Sequence, residues 1–141
     1  MPEPSLDATA RLLQAVADPN RLRILGCLLV RPACVCELMQ ALRIPQPRIS
    51  RHLRILRTAG LVQDRRDAQW VEYSVVSAPE GSPEACLLEL VRCMLAQDPT
   101  IDEDRARLVT ATRGCCTTPG AAGSRPEHSR LQERQGNRLG A

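Results

Sequence analysis

The sequence has no lysine, no phenylalanine, one tryptophan, one tyrosine and two histidines. With aromatics at 1%, an aromatic cage for a cationic ligand and a base-stacking sheet for single-stranded nucleic acid are both excluded. The core has to be aliphatic. Long apolar runs are also missing. The longest uncharged one, residues 24–30, is far short of the ~18 residues that span a bilayer. The acidic start, Met1-Pro2-Glu3-Pro4-Ser5-Leu6-Asp7, has no apolar export stretch. The expectation is a cytoplasmic protein with no membrane partner. There is no phosphate-binding loop, no Cys-x-x-Cys after a strand and no histidine paired with a nucleophile, so an enzyme is not expected.

All 19 basic residues are arginine, and the net charge is +3. That charge is unevenly placed. Residues 1–110 are neutral overall, and residues 111–141 hold five arginines against two acids. Within the neutral part, residues 43–66 hold seven arginines against the single acid Asp64. Such a segment fits a polyanion met locally, although a solvated face is the commoner use of a charge run. Seven cysteines, an odd number, argue against a disulfide framework and for thiol chemistry or soft-metal binding.

At 141 residues the chain suits one domain, 1–110, followed by a disordered basic tail, 111–141, rich in Gly, Pro, Ser, Arg and Gln. Ser5 caps a first helix over 6–17, with Leu6, Leu12, Leu13, Val16 and Ala17 as its apolar stripe. Asp18-Pro19 opens a second helix that stops near Arg31-Pro32. A short helix over 34–41 and a turn at 43–46 lead into a fourth helix ending at Gly60. Residues 61–65 and 70–75 alternate as two strands around a turn at 66–69. Residues 84–97 form another helix, and Thr100-Ile101-Asp102-Glu103 reads as a capping box for a short further turn.

This order is a winged helix-turn-helix: mainly α with a β-hairpin. Ile49, Leu53 and Leu56 share one side of the fourth helix. Arg51 points away from them, with Arg48 and Arg54 three residues to either side. A buried stripe backed by arginines suits a recognition helix in the major groove of double-stranded operator DNA. Arg65 and Arg66, at the hairpin tip, suit the backbone or the minor groove.

These residues resemble a known family. Asp18-Pro19-Asn20-Arg21-Leu22-Arg23-Ile24-Leu25 is similar to the second-helix signature of the bacterial arsenical-resistance repressors, the ArsR/SmtB metalloregulators. Ala33-Cys34-Val35-Cys36-Glu37-Leu38 resembles their metal box. Gln46-Pro47-Arg48-Ile49-Ser50-Arg51-His52-Leu53 and residues 61–73 resemble their recognition helix and wing. The resemblance covers residues 8–97. It implies a homodimer joined by the first and last helices, which represses an arsenic-detoxification operon until trivalent arsenic binds. The DNA-contact set expected from it is Gln46, Pro47, Arg48, Ser50, Arg51, His52, Arg54, Arg65 and Arg66. Where three-thiol members of the family carry a third cysteine, this sequence has Met39. The helix-start serine is Pro45.

The candidate ligands are Cys34, Cys36, Cys115 and Cys116. Cys34 and Cys36 fall at a helix N-terminus, where the dipole favours thiolates; the alternative is two small, inert core residues. Cys115-Cys116 is either incidental or a second thiolate site, and is also a source for a third ligand. Cys27, Cys86 and Cys93 read as core. His52 suits DNA contact or helix packing better than metal, and His128 lies in the tail. Thiolates without imidazole favour As(III), with Sb(III) and methylarsenite as further inducers, over Zn(II). The alternative function is a redox-sensing repressor of the same fold. In an ideal helix, side chains two apart diverge by about 200°. A bridge between Cys34 and Cys36 would therefore unwind the start of that helix and disturb the recognition helix through residues 42–46.

Overall fold

The structure, a computed structural model, describes residues 5–114. Cys115, Cys116, His128 and the rest of the expected tail from 115 onward lie outside the described residues. Helix α1 (Leu6–Val16) starts at Ser5, whose Oγ accepts from the Ala8 N–H. Helix α2 (Pro19–Leu28) starts at Asp18, which accepts from the Asn20 and Arg21 N–H groups. Both are side-chain caps at the positions the sequence marks. Strand β1 (Ala33–Cys34) and helices α3 (Val35–Leu42) and α4 (Gln46–Thr58) follow. The wing is β2 (Val62–Asp67) and β3 (Trp70–Val75), and helices α5 (Pro83–Leu95) and α6 (Pro99–Thr110) close the fold. The sheet is antiparallel in the order β1-β3-β2.

The core is aliphatic, as the composition requires. Ile24, Leu25 and Leu28 of α2 meet Leu38 and Leu42 of α3, the stripe Ile49, Leu53 and Leu56 of α4, and Leu87, Val91 and Leu95 of α5. Ile101 and Leu108 of α6 complete it. Helix α6 comes so close to α2 that a Cβ on Gly26 would stand 3.1 Å from the Ile101 side chain. Among the described residues, no helix is long and apolar enough to cross a membrane.

Five readings are corrected. First, Cys34 is in β1, not in a helix: it pairs with Glu72 as Ala33 pairs with Tyr73. Two residues carry no periodicity, and their strand exists only because β3 lies alongside. Second, β2 runs on to Asp67, so Arg66 is in the strand and the turn is Ala68-Gln69. Third, the short turn after residue 99 is a full helix, α6, capped by Asp98 through the Thr100 and Ile101 N–H groups. Its inward face includes the charged Asp104, which hid the helical apolar period. Fourth, Cys86 and Cys93 are exposed. Leu87, Leu88, Val91 and Leu95 of α5 face the core, which turns the two cysteines outward beside Leu90 and Met94. Fifth, Leu6 and Leu13 of α1 are exposed, while Ala15 and Val16 are buried. Cys27 is buried, as expected.

Ala68 sits at the wing tip with φ 54°, a left-handed conformation that glycine adopts without strain. Ala68→Gly is expected to raise the unfolding free energy by about 0.5–1 kcal/mol. Urea denaturation checks this, and an unchanged midpoint would show that the turn is unstrained.

Candidate nucleic-acid interface and thiol site

The α3–turn–α4 unit is built by local signals. Arg43 ends α3 in the left-handed conformation at φ 55°, and Pro45 and Pro47 set the start of α4. Ile49, Leu53 and Leu56 are buried, so Pro47, Arg48, Arg51 and Arg54 are left exposed on the opposite side. Gln46 and Ser50 are half-buried at its margin. Among the described residues no carboxylate pairs with Arg48, Arg51, Arg54 or Arg66, whereas Arg57 pairs with Asp64 at 3.3 Å and Arg65 with Glu72 at 3.5 Å. Unneutralised arginines on one helix face and one strand are available for phosphates and base edges.

His52 is half-buried on the inner margin of α4. Its Nδ1 lies 3.3 Å from Arg21 Nη1. Arginine only donates, so Nδ1 accepts and the ring proton is on Nε2. Burial, and Arg21, Arg51 and Arg48 nearby, hold its pKa below the ordinary histidine value against the pull of Asp18. Arg21 also donates to the Ala15 and Gln14 carbonyls. His52 therefore docks the recognition helix onto α2.

The second cluster lies where β1 passes into α3. Cys34 and Cys36 are each 2% exposed. Cys34 is extended, with φ −83° and ψ 163°, and is the cap residue of α3. Glu37 reaches back so that its Oε1 accepts from the Cys34 N–H at 3.0 Å. The same oxygen accepts from Arg113 Nε at 3.3 Å, while Oε2 accepts from Arg31 Nη1 at 2.8 Å. Desolvation raises the Glu37 pKa, but these donors together bring it below the ordinary carboxylate value.

The expectation of an acidified thiol fails at Cys34. Burial pushes it up to about 12; Arg113 opposes this, and Glu37 and Cys36 add to it. Loss of water is the largest cause, and the adjacent carboxylate adds to it. Glu37 is committed on both oxygens, to Arg31, Arg113 and the Cys34 N–H. Among the described residues, no group of three or more His, Cys, Asp or Glu is placed to hold a metal ion. Met39 is half-buried against the core.

Sequence reasoning missed the residues around the thiols. Thr112 and Arg113, assigned by composition to the tail, lie against α3 and the wing. The Gln40 side chain donates to the Thr112 carbonyl at 2.7 Å and accepts from its N–H at 3.2 Å. Arg113 reaches Glu37, Asp67 and Glu72. No local pattern marks such contacts, which join residues some 40–76 positions apart.

The profile of the family described as "Bacterial regulatory protein, arsR family" matches residues 18–64, from the cap of α2 into β2. A probable mercury resistance operon repressor from Streptomyces lividans is 37% identical over 112 residues, covering 79% of this chain and 77% of the relative. The chain belongs to the arsR family. The arsenical resistance operon repressor of Escherichia coli K12 is 45% identical over 64 residues, 45% of this chain and 55% of that repressor. A homodimeric winged helix-turn-helix DNA-binding domain from Mycobacterium bovis, a possible ArsR-family transcriptional regulator, superposes with a TM-score of 0.54. It is 28% identical and covers 69% of this chain and 92% of the other. This arsR-family protein is thus a DNA-binding transcriptional regulator with a winged helix-turn-helix. The matched segment contains the exposed arginines of α4 and the buried Cys34 and Cys36, and excludes α5, α6 and Arg113.

Proposed function

We propose that this chain is a homodimeric repressor of an arsenic-resistance operon, released from its operator when trivalent arsenic is taken up by Cys34 and Cys36. The observation that carries the reading is the buried thiol pair at the β1–α3 junction, where β1 pairs with wing strand β3 and α3 leads through the turn at 43–45 into α4. The arsenical and mercury resistance repressors among its relatives support a thiophilic inducer. Condensation of an As–OH group with a thiol forms an As–S bond and releases water, with no change of oxidation state. Two thiols and one remaining hydroxyl satisfy the three positions of arsenic, and antimonite or methylarsenite suits the same pair. Cys115 and Cys116 follow Arg113 by two and three residues in the sequence. This supports Cys115 or Cys116 as a third donor. Redox sensing is the weaker reading, because a buried thiol with its pKa pushed up is a poor target for oxidants.

On the DNA side, Arg48, Arg51 and Arg54 face the major groove, with Gln46, Pro47 and Ser50 at the helix start and Arg65 and Arg66 on the wing. Arg48→Ala and Arg51→Ala are each expected to weaken operator binding by about 1–3 kcal/mol while leaving the dimer intact. Fluorescence anisotropy and gel filtration check this, and unchanged affinity in both would remove α4 from the groove. The decisive experiment is a gel shift with DNA upstream of the operon, titrated with arsenite. Release at micromolar arsenite supports the reading. Retention under arsenite with release by mercury(II) would reassign the inducer.

A further inference from the structure

The wing carries more negative charge than positive. Between Val62 and Val75, Arg65 and Arg66 stand among three carboxylates, Asp64, Asp67 and Glu72. Arg113, from beyond α6, evens that count. Its guanidinium donates through Nη2 to Glu72 on β3 and through Nη1 to Asp67 on β2 at 3.3 Å. Its Nε donates to Glu37 Oε1, the atom that accepts from the Cys34 N–H. Cys34 is itself the β1 partner of Glu72. A single side chain therefore links the cap of α3, both wing strands and the backbone of the thiol site. The Gln40–Thr112 pair of hydrogen bonds fixes the chain immediately before it.

The strengths of these contacts differ. Asp67 is 53% exposed, and an ion pair there is weak. Glu37 and Glu72 are 5% and 17% exposed, where a forked, charge-assisted contact holds geometry. Arginine can meet three carboxylate groups in one plane, which an ammonium group cannot.

We propose that Arg113 is a positioning residue that holds the wing in its DNA-binding pose, masks Asp67 and Glu72 from the phosphates, and lets go when the Cys34–Glu37 hydrogen bond is disturbed. The last clause rests on the thiol reading above; the first two stand without it. Drawing Cys34 towards Cys36 turns the Cys34 N–H away from Glu37 Oε1. That oxygen then re-orients, and Arg113 loses its anchor on α3. The uncovered wing carboxylates oppose the DNA backbone, which weakens binding through charge as well as shape.

The wing contains the only tryptophan, Trp70, at the first position of β3, and its emission reports the wing directly. Arg113→Gln is expected to weaken operator affinity about tenfold, shift Trp70 emission in the free protein and leave the urea midpoint near wild type. Arg113→Lys should recover part of the affinity. Asp67→Asn should raise affinity more in Arg113→Gln than it does in the wild type, because only there is the carboxylate unmasked; a purely structural role for Arg113 predicts equal gains in both. In the wild type, arsenite should move Trp70 emission in the same direction as Arg113→Gln does. Unchanged affinity and emission in Arg113→Gln would overturn the proposal, whatever arsenite does. If arsenite fails to bind or to release DNA while Arg113→Gln still weakens binding and is rescued, the thiol reading falls and wing positioning stands. If arsenite releases wild-type and Arg113→Gln proteins equally and without a Trp70 change, the coupling is overturned and the thiol reading stands.

Discussion

Cys34→Ser and Cys36→Ser proteins are expected to bind operator DNA like the wild type and to stay bound at arsenite concentrations that release it. Serine nearly matches cysteine in shape, and neither thiol is needed for the β1–β3 pairing, which is a backbone ladder. At position 34 serine is also a better helix cap than cysteine. What is lost is the sulfur that condenses with arsenic. The raised pKa of Cys34 adds a pH test. A thiol with its pKa pushed up to about 12 is protonated at neutral pH, so a divalent cation must expel that proton and binds less well as pH falls. Arsenous acid expels water instead, so its release curve should be nearly the same at pH 6.5 and 7.5. Gel shifts at the two pH values, with arsenite and with zinc, measure this. Release of both serine variants at wild-type arsenite concentrations would place the sensing thiols elsewhere, with Cys115-Cys116 tested next by the same substitution. If Cys115→Ser and Cys116→Ser respond normally, two thiols suffice.

The other large effect expected is on stability. Asp104→Ala should reduce the unfolding free energy by about 3 kcal/mol, a large share of the roughly 5–15 kcal/mol typical of a domain. Asp104 is fully buried in α6. It accepts from Arg23 Nε and Nη2, both at 2.8 Å, and from Arg107 Nη2 at 2.7 Å. The same arginines donate to the Leu42 and Ala41 carbonyls at the end of α3. One carboxylate thus aligns two guanidinium groups that tie α2, α3 and α6 together. Truncation leaves those arginines partly enclosed without their anion and opens a cavity beside Leu108. The loss stays near the lower end for buried pairs because Arg23 and Arg107 are about one quarter exposed and regain water. Urea denaturation measures it, and a loss under about 1 kcal/mol would mean that apolar packing alone holds α6. Because α6 delivers Thr112 and Arg113 to the wing, the variant should also bind operator DNA more weakly.

What the sequence by itself determined is the part of the molecule written in short-range terms. Ser5 and Asp18 mark the starts of α1 and α2 because a cap is a contact across two or three residues. The stripe Ile49, Leu53 and Leu56 identified the buried side of α4, and with it the outward arginines, because 3.6-residue periodicity survives wherever one face of a helix is apolar. The resemblance of residues 18–25, 33–38, 46–53 and 61–73 to arsenical-resistance repressors led to the same fold and family. Tertiary structure decided what depends on distant partners. Two-residue β1 exists only through Tyr73 and Glu72 of β3, and that pairing takes Cys34 out of the helix and removes the basis for a helix-acidified thiol. Helix α6 buries a carboxylate on its inner face, so its apolar period was broken until Arg23, 81 residues away, supplied the compensating charge. Cys86 and Cys93 point outward because the rotation of α5 is set by which of its leucines meet the core, and a cysteine is compatible with either side. Arg113 reads as one more tail arginine in composition. Its role depends on Glu37, Asp67 and Glu72 converging from three separate elements, and long-range electrostatic convergence leaves no periodic trace in a chain.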